Sequence, residues 1–262
     1  MTNKILLPEV LQPFSEQLLQ TRRTFIRLSP KTEPPQTPWT STIGGLPYWP
    51  NNQPFPTGTD GSPLLLLAQI NFDELPTFPP FPDQGLLQFF ISSDDVYGYN
   101  FDDPFDQSNF RIVFHPSIEK KLDHLVSSFS FLSEENTGPF QQRQAFALDF
   151  ELQEELMPRE NHQFEKQLGP DFFDQFGDKK WQIIDDYREV ASGMGHKIGG
   201  YPYFTQSDPR TEDSLLELLL QVDTDETLQI MWGDMGVANF FIHPADLQKL
   251  DFSKVYFHWD CY

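Results

Sequence analysis

The chain has one cysteine, Cys261, so no disulfide can close within it, which suits a reducing compartment such as the cytosol. It has no run of about 18 apolar residues, the length a membrane-spanning helix needs, and "PLLLLAQI" is only of strand length. The start, "MTNKILLPEV", offers Ile5, Leu6 and Leu7 before Pro8 and Glu9, too little for the core of a signal peptide. Basic residues are scarce, with 18 Lys and Arg against 39 Asp and Glu and a net charge of −21. Such a field repels phosphate backbones. The pairs Arg22-Arg23, Lys120-Lys121 and Lys179-Lys180 are too small to reverse it. Signatures of cofactor and metal chemistry are missing as well. Neither G-x-x-x-x-G-K-[ST] nor G-x-G-x-x-G occurs, and His162, His196 and His243 show no H-x-x-x-H or H-E-x-x-H spacing. These absences predict a cytoplasmic protein with no cofactor, no metal, no membrane contact and no nucleic-acid partner. An acidic surface leaves room for a basic protein as partner.

What the sequence does have is aromatics and proline: 26 Phe, 8 Tyr, 5 Trp and 23 Pro in 262 residues. Disordered chains are poor in aromatics, so this is a folded chain with many loops. Apolar positions near helical spacing (Val10, Leu11, Phe14, Leu18, Phe25, Ile26) predict an N-terminal helix over 8–28, with Pro13 at an early turn or kink. A Pro-rich connector follows over 29–40. Short apolar runs bounded by Gly and Pro predict strands at 64–72, 85–92 and 110–116, and the alternation in "QAFALDFEL" predicts another at 144–152. Residues 153–192 read as a helical insert broken near Gly169-Pro170 and Gly177. Strands return in "SLLELLLQVD", "LQIMW", "ANFFIHP" and "KVYFHW", with a short helix at 244–250.

Four blocks recur in order. Ile43-Gly44-Gly45-Leu46-Pro47-Tyr48 returns as Ile198-Gly199-Gly200-Tyr201-Pro202-Tyr203. Gln69 in "LLLLAQIN" returns as Gln221 in "LELLLQVD". "DQGLLQFFI" (83–91) returns as "DMGVANFFI" (234–242), and "RIVFH" as "KVYFH". The ordered set predicts two internal repeats, about 41–116 and 196–262, within a single domain over 1–262. The expected fold is α+β: an internally duplicated β-sheet core of two related units, with mostly antiparallel or mixed strands and peripheral helices.

Six segments, "IGGLPYWP", "LLLLAQINFDELP", "GLLQFFIS", "HKIGGYPYFTQSD", "LLLQVDTDE" and "MWGDMGVANFFI", together with the C-terminal "HPADLQKLDFSKVYFHWDCY", resemble the YwqG-like family, the DUF1963 domain. The resemblance runs from about residue 40 to the end. It implies a bacterial, cytoplasmic α+β protein with a duplicated sheet core. The family carries no established activity, so it supplies no catalytic residues.

Candidate contacts therefore come from residue chemistry. Glycine pairs such as Gly44-Gly45 allow positive φ, which a turn of the fold needs and an anion nest would use. Asp83 and Asp234, at equivalent repeat positions, read as tight-turn acceptors. Gln69 and Gln221 lie in apolar strands, where an amide must find partners, either backbone or ligand. "DTDETLQIMWGD" has the length of an EF-hand loop but carries Leu228 where Gly is needed and Asp234 where Glu is needed; Asp223 remains a candidate for a different cation site. His258 and Asp260 share a strand face, with Cys261 on the other, which argues against a local Cys–His pair. The segment 94–110 has no repeat counterpart and sets Tyr97, Tyr99, Phe101 and Phe105 among Asp102, Asp103 and other acids. These residues, with Trp49 beside the first Gly-Gly turn, are the expected ligand or partner contacts. The leading expectation is a non-catalytic binding module. The alternative is a hydrolase using Asp83 and Asp234 across a cleft between the repeats.

Overall fold

A computed structural model describes residues 5–133 and 137–262. Ten strands carry the fold: β1 (Arg23–Pro30), β2 (Thr42–Ile43), β3 (Leu65–Asn71), β4 (Leu86–Ile91), β5 (Phe110–His115), β6 (Phe146–Glu155), β7 (Lys197–Gly199), β8 (Glu217–Asp223), β9 (Val237–Ile242) and β10 (Val255–Asp260). They form one sheet in the order β10-β9-β8-β7-β1-β6-β2-β3-β4-β5, and the pairings between neighbours are antiparallel. The helices are short: α1 (Ser15–Leu19), α2 (Phe164–Leu168), α3 (Lys180–Arg188) and α4 (Pro244–Gln248), with a few 3-10 turns. Among the described residues no helix is long and apolar enough to cross a membrane.

The centre of the sheet is the β1–β6 ladder, paired from Arg23↔Glu155 to Pro30↔Leu148. Each of these long strands flanks the more distant sheet neighbour. β1 precedes β2 in the chain but pairs with β7, while β6 pairs with β2. The two outer groups of strands then curl toward one another into a near-barrel. Phe89 meets Phe240 (5.1 Å between ring centroids), and Phe110 meets Phe257 (5.2 Å). The main core therefore draws on both ends of the sheet, from Leu67, Phe89 and Phe110 to Leu219, Phe240 and Phe257. A second apolar cluster joins Leu11 and Leu18 to Phe164, Phe172, Ile184 and Tyr187 of the helical segment.

β3 and β8 are buried almost throughout, because one face packs in the near-barrel and the other lies under loops. Each is irregular against its partner at the same relative place, between Leu66 and Ala68 in β3 and between Leu218 and Leu220 in β8. A bulge of this kind re-aims the side chains beyond it, and the glutamines Gln69 and Gln221 follow at once.

Three expectations need correction. The helix over 8–28 stops at Leu19, and Arg23–Pro30 is β1. Phe25, Ile26 and Leu28 satisfy either period over so short a run, and a strand paired on both sides outweighs local propensity. The helical insert begins later than residue 153, because β6 continues to Glu155. "LQIMW" is a turn in place of a strand: Asp225 Oδ1 accepts the N–H groups of Thr227 and Leu228, and Ile230 makes only isolated bridges to Asp225 and Phe140.

Both Gly-Gly turns sit against the long central strands. Gly44 and Gly45 have φ of 71° and 85°, and a Cβ on Gly45 would lie 2.4 Å from Ala145 Cβ, just before β6. Gly199 and Gly200 have φ of 69° and 74°, and a Cβ on Gly200 would lie 2.8 Å from Phe25 Cβ on β1. Gly45→Ala combines left-handed strain with a backbone clash and is expected to cost roughly 3 kcal/mol or more. Gly61 has φ of 82° and open space around it, so Gly61→Ala should cost only about 1 kcal/mol. Urea denaturation of the two variants checks this; equal losses would refute close approach as the reason for Gly45.

Candidate functional site

Two features stand out: a strap over the seam of the near-barrel, and a polar circuit leading to a large cavity. The strap is the acidic–aromatic segment 94–110. Its inner side is pinned to the far half of the sheet. Trp259 Nε1–H donates to Val96 O (3.0 Å), Phe257 N–H donates to Pro104 O (3.0 Å), and Gln107 Nε2–H donates to Phe252 O (2.8 Å). Tyr97 packs edge-on between Trp232 and Trp259, each 4.9 Å away, and Tyr99 packs on Phe257 and His258. These two tyrosines hold the seam between β5 and β10 closed.

The outer side of the strap is different. Asp94, Asp103 and Asp106 accept N–H groups within the strap and fix its turns. Asp95, Asp102 and Asp103 are exposed, and Phe101 among them is 73% exposed. Carboxylates and an aromatic ring are thus presented to solvent by a loop whose backbone is already fixed.

The circuit begins at Gln69, which is buried. Its Oε1 accepts from Tyr48 N–H (3.0 Å) and from Gln88 Nε2–H (3.1 Å), and its Nε2 donates to Pro38 O and Thr40 O (both 2.8 Å). Gln88 Nε2 also donates to Tyr48 O (2.7 Å), and Gln88 Oε1 accepts from His115 Nε2 (2.9 Å). Burial holds the His115 imidazole down at about 4, so it is neutral near pH 7. The Tyr48 hydroxyl accepts from Glu119 N–H (2.8 Å), and Glu119 pairs with His124 Nδ1 (2.9 Å). The N–H of Lys121 and the His124 pairing hold the Glu119 carboxyl low, and Glu119 in turn raises His124. Tyr48, Asn52, His115, Ser117, Glu119 and His124 line a cavity of about 640 Å³, within the usual range of ligand sites. Trp49 is buried behind it, 5.7 Å edge-on from His115.

The other half repeats these bonds. Gln221 Oε1 accepts from Tyr203 N–H, and its Nε2 donates to Gly193 O and Gly195 O. Asn239 Nδ2 donates to Tyr203 O, as Gln88 does to Tyr48. Asn239 is one methylene shorter than Gln88, and here the His258 ring nitrogens and Asn239 Oδ1 have no hydrogen-bond partner among the described residues. Asp223 is buried, accepts from Gly195 and Thr224 N–H, and burial raises its carboxyl. Among the described residues no group of three His, Cys, Asp or Glu side chains is placed to hold a metal ion.

Asp83 and Asp234 are exposed, each leading into its strand, and neither lines the large cavity. The face where the two halves meet is the Phe89–Phe240 core. Sequence reasoning passed over His115, Glu119 and His124 as a group; the spacing of Glu119 and His124 in "IEKKLDH" was the available signal.

His115 carries a pH prediction. The unfolded chain takes up its proton near 6.5, whereas the folded chain refuses it until about 4. Stability from this group is therefore full above pH 6.5 and falls as pH drops toward 4. His115→Gln should flatten that loss by on the order of 2 kcal/mol, read from urea midpoints across the window. An unchanged slope would show that His115 is not held neutral.

A family described as a domain of unknown function, DUF1963, matches residues 41–261. No curated protein matches the chain.

Proposed function

The chain belongs to the DUF1963 family, a domain of unknown function, and on that footing we propose that it is a non-catalytic binding module that engages a basic protein partner. The observation that carries this reading is the pinned strap. Its aromatic anchors Tyr97 and Tyr99 face inward, while Asp95, Asp102, Asp103 and Phe101 face outward from a fixed backbone. Preorganised carboxylates lose little freedom on binding, and an exposed ring among them suits Lys or Arg side chains. The net charge of −21 adds attraction at long range.

Binding is preferred to the hydrolase alternative because Asp83 and Asp234, on which that alternative rests, are exposed and do not line the large cavity, and because the titratable groups of that cavity already have partners. His115 is bound by Gln88, the Tyr48 hydroxyl by Glu119 N–H, and Glu119 by His124 and Lys121. The recurrence of the Gln69 and Gln221 circuits further leads us to infer an internal duplication of the sheet unit. The same reading takes the protein as bacterial, cytoplasmic and YwqG-like, supported by its lone Cys261 and the segments that carry that resemblance.

Titration of a fluorescent arginine-rich peptide, read by anisotropy, tests the assignment. Replacing Asp95, Asp102 and Asp103 together with Asn should weaken binding about tenfold or more at low salt. The same charge change at Asp171, Asp178 and Glu189, exposed on the helical segment, should weaken it less than threefold. Equal losses would mean that net charge alone attracts the peptide, and the strap would have no special role.

A further inference from the structure

The polar circuit decides what His115 presents to the cavity of about 640 Å³. Gln69 Nε2 gives its two hydrogens to Pro38 O and Thr40 O, so Gln69 Oε1 faces Gln88. Gln88 Nε2 gives its two hydrogens to Gln69 Oε1 and Tyr48 O, so Gln88 Oε1 faces His115. An amide oxygen only accepts. His115 Nε2 therefore carries the ring proton, and Nδ1 is a bare lone pair. Burial keeps this ring neutral near pH 7.

That lone pair opens on the cavity. His115 is only 5% exposed and lines it. Its Nδ1 bonds to no other described residue, yet it is not sealed from solvent. Tyr48, with its ring 5.1 Å edge-on from the imidazole, lines the same cavity. The Tyr48 hydroxyl accepts from Glu119 N–H, which leaves its own proton to donate. One wall thus offers an acceptor and a donor on neighbouring buried rings. The rim is braced as well: Asn51 N–H donates to His124 O and Val126 N–H to Trp49 O (both 2.9 Å).

The lining sets the chemistry of a ligand. A fixed acceptor beside a fixed donor suits a hydroxyl, which donates and accepts at once. The charged side chains of the lining, Glu119 and His124, pair with each other (2.9 Å) and offset one another. Asn52 and Ser117 add an amide and a hydroxyl that bond to no other described residue, and Ile118 adds apolar surface for the C–H face of a ring. The net charge of −21 opposes an anion. A cation would find the Glu119 carboxylate already paired. The volume lies in the range of small-molecule sites.

We propose that this cavity binds a neutral polyhydroxylated ligand of the sugar class, with hydroxyl groups donating to His115 Nδ1 and accepting from the Tyr48 hydroxyl. The ligand is held and no bond in it is broken. The cavity lies at the His115 end of β5, whereas the strap leads into the other end at Phe110, so either assignment can fail alone. The sugar can be free or part of a longer glycan.

Full-length protein titrated with glucose, galactose, N-acetylglucosamine, maltotriose and chitotriose tests this, followed by calorimetry and by nitrogen-15 NMR of the histidine rings. At least one of these sugars should bind saturably, and its binding should shift the bare Nδ1 resonance of His115. Tyr48→Phe, which keeps the ring and removes the donor, should weaken that sugar about fivefold or more. Glucosamine, a cation, and glucose 6-phosphate, an anion, should bind more weakly than the best neutral sugar. The trimers separate the sources: a trimer tighter than its monomer points to a glycan, a trimer no tighter to a free sugar, and both support the site. Absence of saturable binding across the panel, tighter binding of either charged analogue, binding that leaves the His115 Nδ1 resonance unmoved, or undiminished affinity in a folded Tyr48→Phe protein would overturn the proposal.

Discussion

The sheet depends on how two very short strands are held between long neighbours. β2 contributes two residues and β7 three, because the Gly-Gly turns lead the chain out of the ladder at once. Backbone groups that leave a ladder inside a protein must still find partners. Gln69 and Gln221 supply them, each amide accepting one backbone N–H and donating to two backbone carbonyls, as an extra peptide unit would. With the turns fixed, their glycines press close to Ala145 and Phe25, and the β1–β6 ladder joins the two groups of strands. Loss of an amide at Gln69 would leave several buried groups unpaired, which is more costly than the bonds themselves are stabilising.

Much of this arrangement was legible in the sequence. The strands at 65–71, 86–91 and 110–115 stood out as apolar runs between Gly and Pro, and α4 as "PADLQKL". The glutamines were conspicuous because polar amides in apolar strands require partners. β1 was not legible, since its role is set by pairing with β6 and β7, which lie more than a hundred residues away in the chain. The strap was legible as unusual but not in its direction. Composition shows aromatics among acids; only the positions of Trp232 and Trp259 turn Tyr97 inward, and nothing nearby in sequence marks that. Glu155 and Lys197 were silent for the same reason, being partners 42 residues apart.

The two halves differ at positions that the repeat matches. Where the first half has the cavity lined by Ser117 and Glu119, the second has Asp260 accepting the N–H groups of Thr205 and Gln206, and Tyr262 against the Tyr203 hydroxyl.

The second half also shows what a buried charge pair requires. Lys197 and Glu155 are almost wholly buried; burial pushes the lysine down and the carboxyl up, each opposed by the other's charge. A buried ion pair is retained only when further bonds offset its desolvation. Here Tyr201 N–H meets the carboxylate, Tyr201 O meets the ammonium, and the Phe25 ring lies 4.7 Å from Lys197 Nζ. That set works because Gly200 leaves space for Glu155 and because β1 brings Phe25 to the same point. Among the described residues the first half keeps the glycine at Gly45 but has Thr42 at the position of Lys197. The glycine turn is thus common to both, and the buried Lys197–Glu155 pair is what the second adds beside it.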